Sequence, residues 1–285
     1  MADKKESNIT AATSLASGDF LRTVTSGGAS SKITSQNALL NMLENCSVNF
    51  KNSVYRGASL GSSFTSAQQT AISNGTFTGL WLGDYWTINS VNWRIWDFDY
   101  FIGKGDSNTT THHCVILPDT NLLVADGSTT HYMNDTNTTE GGYKASKCRT
   151  TYLTDTTTTT YPYYKIQAAF GSSHILSHKE YISNAVSSGA ASGGEWVTSQ
   201  VEIPTESMMY GGRVNSNGGL YNVGVCWSQL ALARLKPSFV ANRSNYWLRD
   251  VVSASNFANV NNNGNANNNS ASNAWNGVRP YFLLS

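Results

Sequence analysis

The chain has 285 residues, of which 13% are charged, about half the roughly 25% usual in a soluble domain. Its 19 basic and 18 acidic side chains nearly cancel, which excludes the basic footprint of a nucleic-acid binder and the high net charge of a disordered chain. Small polar residues take the place of charge: 30 Asn, 29 Thr and 24 Gly, with 11 of the Asn crowded into the 21 residues from Asn256 to Asn276.

Residues 1–34 are rich in Ser, Thr, Gly and Ala, and Gly27-Gly28 interrupts any element there. They read as an extended arm. Ser35 is placed to cap a helix running through Glu44, with Leu39, Leu40, Met42 and Leu43 on its apolar side. Neither piece buries a core by itself, so residues 1–50 are expected to form an arm and helix, and 51–285 one domain. From Asn74-Gly75 onward aromatics arrive quickly. Trp81, Leu82, Tyr85, Trp86 and Ile88 precede the turn signal Asn89-Ser90, and Val91, Trp93 and Ile95 alternate with Asn92, Arg94 and Trp96. That pattern predicts two strands joined by a tight turn. Cys114-Val115-Ile116-Leu117, closed by Pro118, predicts a short buried strand. Residues 128–160 are Thr-rich and read as loops with at most a turn of helix. Helices are expected over 163–170, 177–186, 205–210 and 228–235, with Gly171 and Pro237 standing where the first and last stop. Strand returns at Tyr246-Trp247-Leu248 and from Val278 to Leu284. Strands, then helices, then strands again suggest an α+β domain in which early and late strands pair.

No run approaches the roughly 18 consecutive apolar residues of a membrane span. Residues 1–17 lack the apolar stretch of a secretory signal, so the expected site of synthesis is the cytoplasm. Cys46, Cys114, Cys148 and Cys226 lie far apart, without the spacing of a zinc site, and read as unpaired thiols. His112 and His113 are adjacent, and His174 and His178 at i, i+4 suit one helix face, but no third ligand stands at metal-site spacing. No metal, cofactor or catalytic residue is therefore expected. The aromatics Trp81, Trp86, Trp93 and Trp96 read as core rather than as a sugar platform. Trp275, among polar residues beside a turn, suits either an exposed contact or an anchor.

The Asn-rich segment reads as ordered. Phe257, Val260 and Trp275 punctuate it, and Asn263-Gly264 and Asn276-Gly277 are dipeptides favoured in hairpin turns because both residues tolerate positive φ. Asn side chains offer donors and an acceptor without charge. A surface made of them is an adaptable platform.

Several motifs in order resemble one family. They are Gly83-Asp84-Tyr85-Trp86-Thr87-Ile88, Trp93-Arg94-Ile95, His113-Cys114-Val115-Ile116-Leu117-Pro118-Asp119, the run from Met133 to Tyr143, Ser192-Gly193-Gly194-Glu195-Trp196, Tyr246-Trp247-Leu248-Arg249-Asp250 and Gly277-Val278-Arg279-Pro280-Tyr281-Phe282. Together they resemble the variable proteins of phage diversity-generating retroelements. The resemblance implies a C-type-lectin-like fold of the formylglycine-generating-enzyme-like subset, with a variable region at about 242–285. In such systems a reverse transcriptase misincorporates at template adenines. An Asn codon ending in a pyrimidine carries two of them and never mutates to a stop. The implied variable, ligand-binding positions are Asn256, Asn259, Asn261, Asn262, Asn263, Asn265, Asn267, Asn268, Asn269, Asn273 and Asn276, with Trp275 as a contact residue and Asn242 and Asn245 as further candidates. Trp247, Leu248, Phe257, Val260, Val278, Pro280 and Phe282 are the implied scaffold. The segment from Asp19 to Thr34 resembles the openings of phage tail-fibre proteins. The implied function is reception of a host cell-surface receptor, protein or glycan, by a phage tail protein in the virion. The implied partners are other tail proteins and sister subunits, a trimer by analogy, with no nucleic acid and no membrane insertion. A carbohydrate-binding lectin without a retroelement, and an enzyme of the formylglycine-generating type, are the competing expectations.

Overall fold

The computed structural model describes residues 20–24, 30–107, 109–124, 131–185, 188, 191–216 and 228–285. The chain divides into two units, Met1–Cys46 and Ser47–Ser285, so the boundary falls slightly before the one expected after residue 50.

In the first unit, β1 (Phe20–Val24) and β2 (Ser30–Thr34) form an antiparallel hairpin that pairs Phe20 with Thr34. Part of the expected extended arm is therefore paired. Gly27-Gly28 and residues 1–19 lie outside the described residues. The helix α1 (Ser35–Glu44) follows with the expected bounds. Its cap is Thr34, whose Oγ1 accepts the Asn37 N–H at 3.1 Å, one residue before the expected Ser35. Met42 is exposed and Leu43 half-buried, while the side chains of Leu39 and Leu40 are outside the description.

The second unit is mixed α and β, with mainly antiparallel sheets and few, short helices. It begins with α2 (Val48–Lys51) and α3 (Ser66–Ser73). The latter carries a capping box in which Thr65 and Gln68 each accept the other's backbone N–H, a signal already written in the sequence. Next come β3 (Tyr85–Ile88) and β4 (Val91–Phe98), paired from Tyr85–Arg94 to Ile88–Val91. Their turn residues Asn89 and Ser90 have φ of 52° and 62°, the double positive φ that a two-residue hairpin needs. The buried strand β5 (Cys114–Pro118) pairs with β4. The Thr-rich region then supplies α4 (Gly142–Ala145) and a π-turn at Cys148–Tyr152. It is followed by α5 (Pro162–Phe170), with Pro162 at its start, and a 3-10 turn at Ser172–His174.

The helix expected over 177–186 is not present. Residues His178–Ala185 form strand β6, paired antiparallel with β7 (Ala191–Ser199) from His178–Ser199 onward. The physical reason is period: His178, Glu180 and Ile182 are buried while Lys179 and Tyr181 are not, an alternation of two rather than 3.6. His174 and His178 therefore do not share a helix face.

The strand β8 (Val201–Glu202) leads to α6 (Glu206–Tyr210), whose cap Thr205 accepts the Met208 N–H at 3.0 Å. Only residues Ala231–Leu235 of the expected 228–235 are helical (α7), because Leu230 is extended. The Ala231 N–H donates to the Asp97 carboxylate at 2.7 Å. The chain ends with β9 (Tyr246–Val251), β10 (Asn256–Val260), β11 (Ala266–Ser270) and β12 (Tyr281–Leu284).

The larger sheet has the order β3-β4-β5-β12-β8, so the last strand lies against the third of the early ones, as the order of elements suggested. Trp86, Trp93, Phe170 and Phe282 pack edge-on or tilted in its core, with ring centroids 5.3–6.0 Å apart. Trp81 and Trp96 are buried as well, which makes the Trp cluster core. Arg279 is buried beside them. Its Nε donates to the Pro118 carbonyl and Nη1 to the Phe239 carbonyl, both at 2.9 Å, while its guanidinium lies over Trp96 and Tyr246.

Candidate ligand-binding surface

The Asn-rich segment folds as the three-stranded sheet β11-β10-β9 and its connecting loops. β10 is its centre. Phe257, Ala258, Asn259 and Val260 are all buried, and β10 pairs with β9 on one side and from Asn256–Ser270 to Val260–Ala266 with β11 on the other. The scaffold residues Trp247, Leu248, Phe257, Val260, Val278 and Phe282 all have zero exposure. Trp247 Nε1 donates to the His131 carbonyl at 3.1 Å, its polar atom satisfied inside.

β9 is also tied to the larger sheet. Arg249 Nη1 meets Glu180 Oε2 at 2.9 Å, and the other Glu180 oxygen accepts from Tyr281 and lies 2.9 Å from His178 Nε2. Burial works against ionisation of Glu180, yet Arg249 and the neighbouring hydrogen bonds hold its carboxyl down to about 2. On the next residue, burial pushes the Asp250 carboxyl up to about 6. Asp250 accepts the Glu206 N–H at 2.6 Å, joining the sheet to α6.

The turn between β10 and β11 runs through Asn261 to Gly264, and the Gly264 N–H donates to the Asn261 carbonyl at 2.9 Å. Asn263-Gly264 thus serves a turn, within a longer loop than a two-residue hairpin. Gly264 has φ of 87°, and a Cβ there would lie 2.8 Å from the Ala241 Cβ, so the position requires glycine twice over. The Tyr210 hydroxyl donates to its carbonyl at 3.0 Å. Asn276-Gly277 makes no hairpin turn. Gly277 bridges in parallel to Tyr246, and a Cβ there would meet Asn121 Nδ2 at 2.2 Å and the Leu123 carbonyl at 2.6 Å. Close approach, not positive φ, demands that glycine.

The eleven Asn of the segment and the two before it divide into three groups. Asn262, Asn263, Asn265 and Asn267 are exposed. Asn242, Asn245, Asn256, Asn261, Asn268, Asn269 and Asn273 are half-buried, and most hold local structure. Asn261 Oδ1 accepts the N–H groups of Asn263 and Asn265, Asn273 Oδ1 that of Trp275, and Asn245 Oδ1 that of Asn262. Asn256 Nδ2 donates to Asn268 Oδ1 at 2.7 Å. The third group corrects the sequence reading. Asn259 and Asn276 have zero exposure, and Asn259 Nδ2 donates to Asn276 Oδ1 at 2.9 Å. Asn269 Nδ2 reaches the same oxygen at 3.2 Å. Asn259 and Asn276 belong to the scaffold because β10 is covered on both faces and the chain at Gly277 presses against Asn121 and Leu123.

Trp275 is 62% exposed, which settles its role as a surface residue. With Asn121, Ser244, Asn245 and Asn262 it lines a depression of about 260 Å³. Asn121 Nδ2 donates to the Asn245 carbonyl at 3.0 Å, and Asn242 Nδ2 to Asn121 Oδ1 at 2.7 Å. Sequence reasoning did not find Asn121 or Ser244; Asn121 lies more than a hundred positions upstream, and no local pattern joins it to the Asn segment.

Among the described residues no group of three His, Cys, Asp or Glu is placed to hold a metal ion, and no helix is long and apolar enough to cross a membrane. Cys114 and Cys148 are free and buried, and burial pushes both thiols up. Cys226 is outside the described residues. A family model described as Domain of unknown function (DUF6273) matches residues 118–285. No curated protein and no solved structure matches the chain.

Proposed function

The chain belongs to the DUF6273 family, a domain of unknown function, and from its C-terminal surface we propose that it is a ligand-binding module of the phage receptor-binding kind. In this reading the domain is C-type-lectin-like, and its exposed Asn positions are the template state of a surface rewritten by adenine-directed mutagenesis. The residues before Ser47 attach it to the tail of the virion or to sister subunits, in a trimer by the family resemblance. Its partners are a receptor on the host cell and other tail proteins. It binds rather than turns over substrate, in keeping with thiols that burial makes poor nucleophiles.

One observation carries the proposal. Within a single short segment, residues at zero exposure are followed directly by Asn side chains that reach solvent: Phe257, Ala258 and Val260 in β10, then Asn262, Asn263 and Asn265 in the loop after it and Asn267 in β11. A buried strand thereby anchors an adjoining loop and strand whose exposed side chains can change without disturbing the core, since surface substitutions usually cost within about 0.5 kcal/mol.

The test has a genetic and a physical arm. The DNA downstream of the gene is expected to hold a near-copy of the last hundred or so bases beside a reverse-transcriptase gene. A library randomised at Asn262, Asn263, Asn265 and Asn267 is expected to fold throughout and to yield members that bind bacterial cells. Absence of the near-copy removes the diversification; a library that folds but yields no binders removes the binding role.

A further inference from the structure

We propose that the depression lined by Asn121, Ser244, Asn245, Asn262 and Trp275 is a metal-independent site for one ring of a neutral saccharide, with the Trp275 indole as its stacking face. The inference rests on the binding role proposed above and names the ligand class. Its first support is charge. None of the five lining residues is ionisable, so a charged ligand entering the site would leave its charge without a partner, at a cost.

The second support is the kind of polar group on offer. Asn245 Nδ2, both ends of the Asn262 amide and the Ser244 hydroxyl have no hydrogen-bond partner among the described residues, although Asn245 Oδ1 and the Asn262 N–H are bonded to each other at 2.8 Å. These groups offer both donors and acceptors. Sugar hydroxyls act in both ways and match such a set. The third is the aromatic. Trp275 is 62% exposed, while Trp81, Trp86, Trp93, Trp96 and Trp247 are buried. An indole left in water beside amides gives a flat apolar face for the C–H side of a pyranose and an N–H for its edge.

The fourth is size and rigidity. At about 260 Å³ the depression is below the roughly 300–1,000 Å³ of sites that enclose drug-sized ligands, which suits a single ring better than a folded peptide segment. Its walls are held before any ligand arrives. Asn242 fixes Asn121, Asn121 fixes the Asn245 backbone, and Asn273 Oδ1 accepts the Trp275 backbone N–H at 2.8 Å. Preorganisation of this kind reduces the ordering cost of binding.

The experiment uses the full chain and saturation-transfer NMR with maltose, cellobiose, lactose, mannobiose and chitobiose at millimolar concentration in EDTA. At least one disaccharide is expected to bind. Trp275→Ala should weaken it about tenfold or more, Trp275→Tyr should recover part of the loss, and Asn262→Ala should weaken it. Unchanged thermal melting of these variants separates lost contacts from lost fold. Binding that ignores Trp275→Ala, binding that requires calcium, or no binding by any of the five sugars overturns the proposal. A parallel assay measures adsorption of the protein to bacterial cells before and after periodate oxidation of their glycans. Adsorption that depends on Trp275 and is abolished by periodate supports the saccharide. Adsorption that depends on Trp275 and survives periodate overturns it while leaving the binding role standing. Loss of adsorption altogether, including from the randomised library, overturns both.

Discussion

Replacing Asn276 with Ala is the sharpest probe of the division between scaffold and surface. The change removes the acceptor that Asn259 Nδ2 reaches at 2.9 Å and Asn269 Nδ2 at 3.2 Å. Asn259 has zero exposure, so water does not replace the lost partner. A buried donor left unsatisfied costs about 1–3 kcal/mol, and the space vacated by the amide adds to it, for a total of about 2–4 kcal/mol. In a unit of this size each kcal/mol lowers Tm by about 2–4 °C, so a fall of about 4–16 °C is expected. Asn265→Ala and Asn267→Ala, at exposed positions of the same hairpin, should stay within about 0.5 kcal/mol. The buried pair has a second signature. Asn259 Oδ1 and Asn276 Nδ2 have no partner of their own, so replacing both Asn with Ala should cost less than the two single changes added together. Thermal melts followed by circular dichroism, with urea titrations for the free energies, measure all of this. If Asn276→Ala melts with the wild type, or if the exposed changes destabilise equally, the division is wrong.

Burial pushes the Asp97 carboxyl from 3.8 up to about 7, against the pull of the Ala231 N–H and Asn52. A raised acid contributes stability that is present below its unfolded value and lost as pH rises through the folded one. Asp97→Asn should therefore gain on the wild type by about 2 kcal/mol between pH 5.5 and 8.5 in urea unfolding; parallel pH profiles would contradict this. His113, pushed down to about 3 by burial, acts oppositely below its normal value of 6.5, which is why the comparison is made between the two proteins and not within one. Trp247→Ala and Phe282→Ala, both at zero exposure, should each cost about 3–5 kcal/mol in the same assay. Cys114 and Cys148 should resist iodoacetamide in the native protein at pH 8 and react in urea, because both thiols are buried and raised; mass spectrometry of the two peptides reads the difference.

Local signals foretold much of the fold. The Asn89-Ser90 turn, the apolar run of β5 and the Gly171 stop after α5 each rest on the conformational preference of a few neighbouring residues, and those preferences survive folding. The error over 177–186 is of a different kind. The segment is too mixed for composition to separate a period of two from one of 3.6, and pairing with β7, whose Gly194 lets the Tyr181 ring lie against the backbone, decides it. The gap before Asn74 needed only the Thr65 and Gln68 pattern to reveal α3.

The Asn segment shows the division most clearly. Composition and codon chemistry mark every Asn alike, because a codon carries no information about which side of a strand its residue will face. The sheet then sorts them. β10 is covered on both faces, so Asn259 is buried; the close approach of Gly277 to Asn121 and Leu123 draws Asn276 inside; the β10–β11 loop lies beyond the packed strands, so Asn262, Asn263 and Asn265 reach solvent. The depression beside Trp275 likewise joins Asn121 to residues more than a hundred positions later, a proximity created by the backbone bonds that tie Leu122 and Leu123 to Val278. Residue type and local order sufficed to mark the segment as structured and neutral. Exposure, which separates a binding position from a scaffold one, depends on what packs against each side chain from elsewhere in the chain.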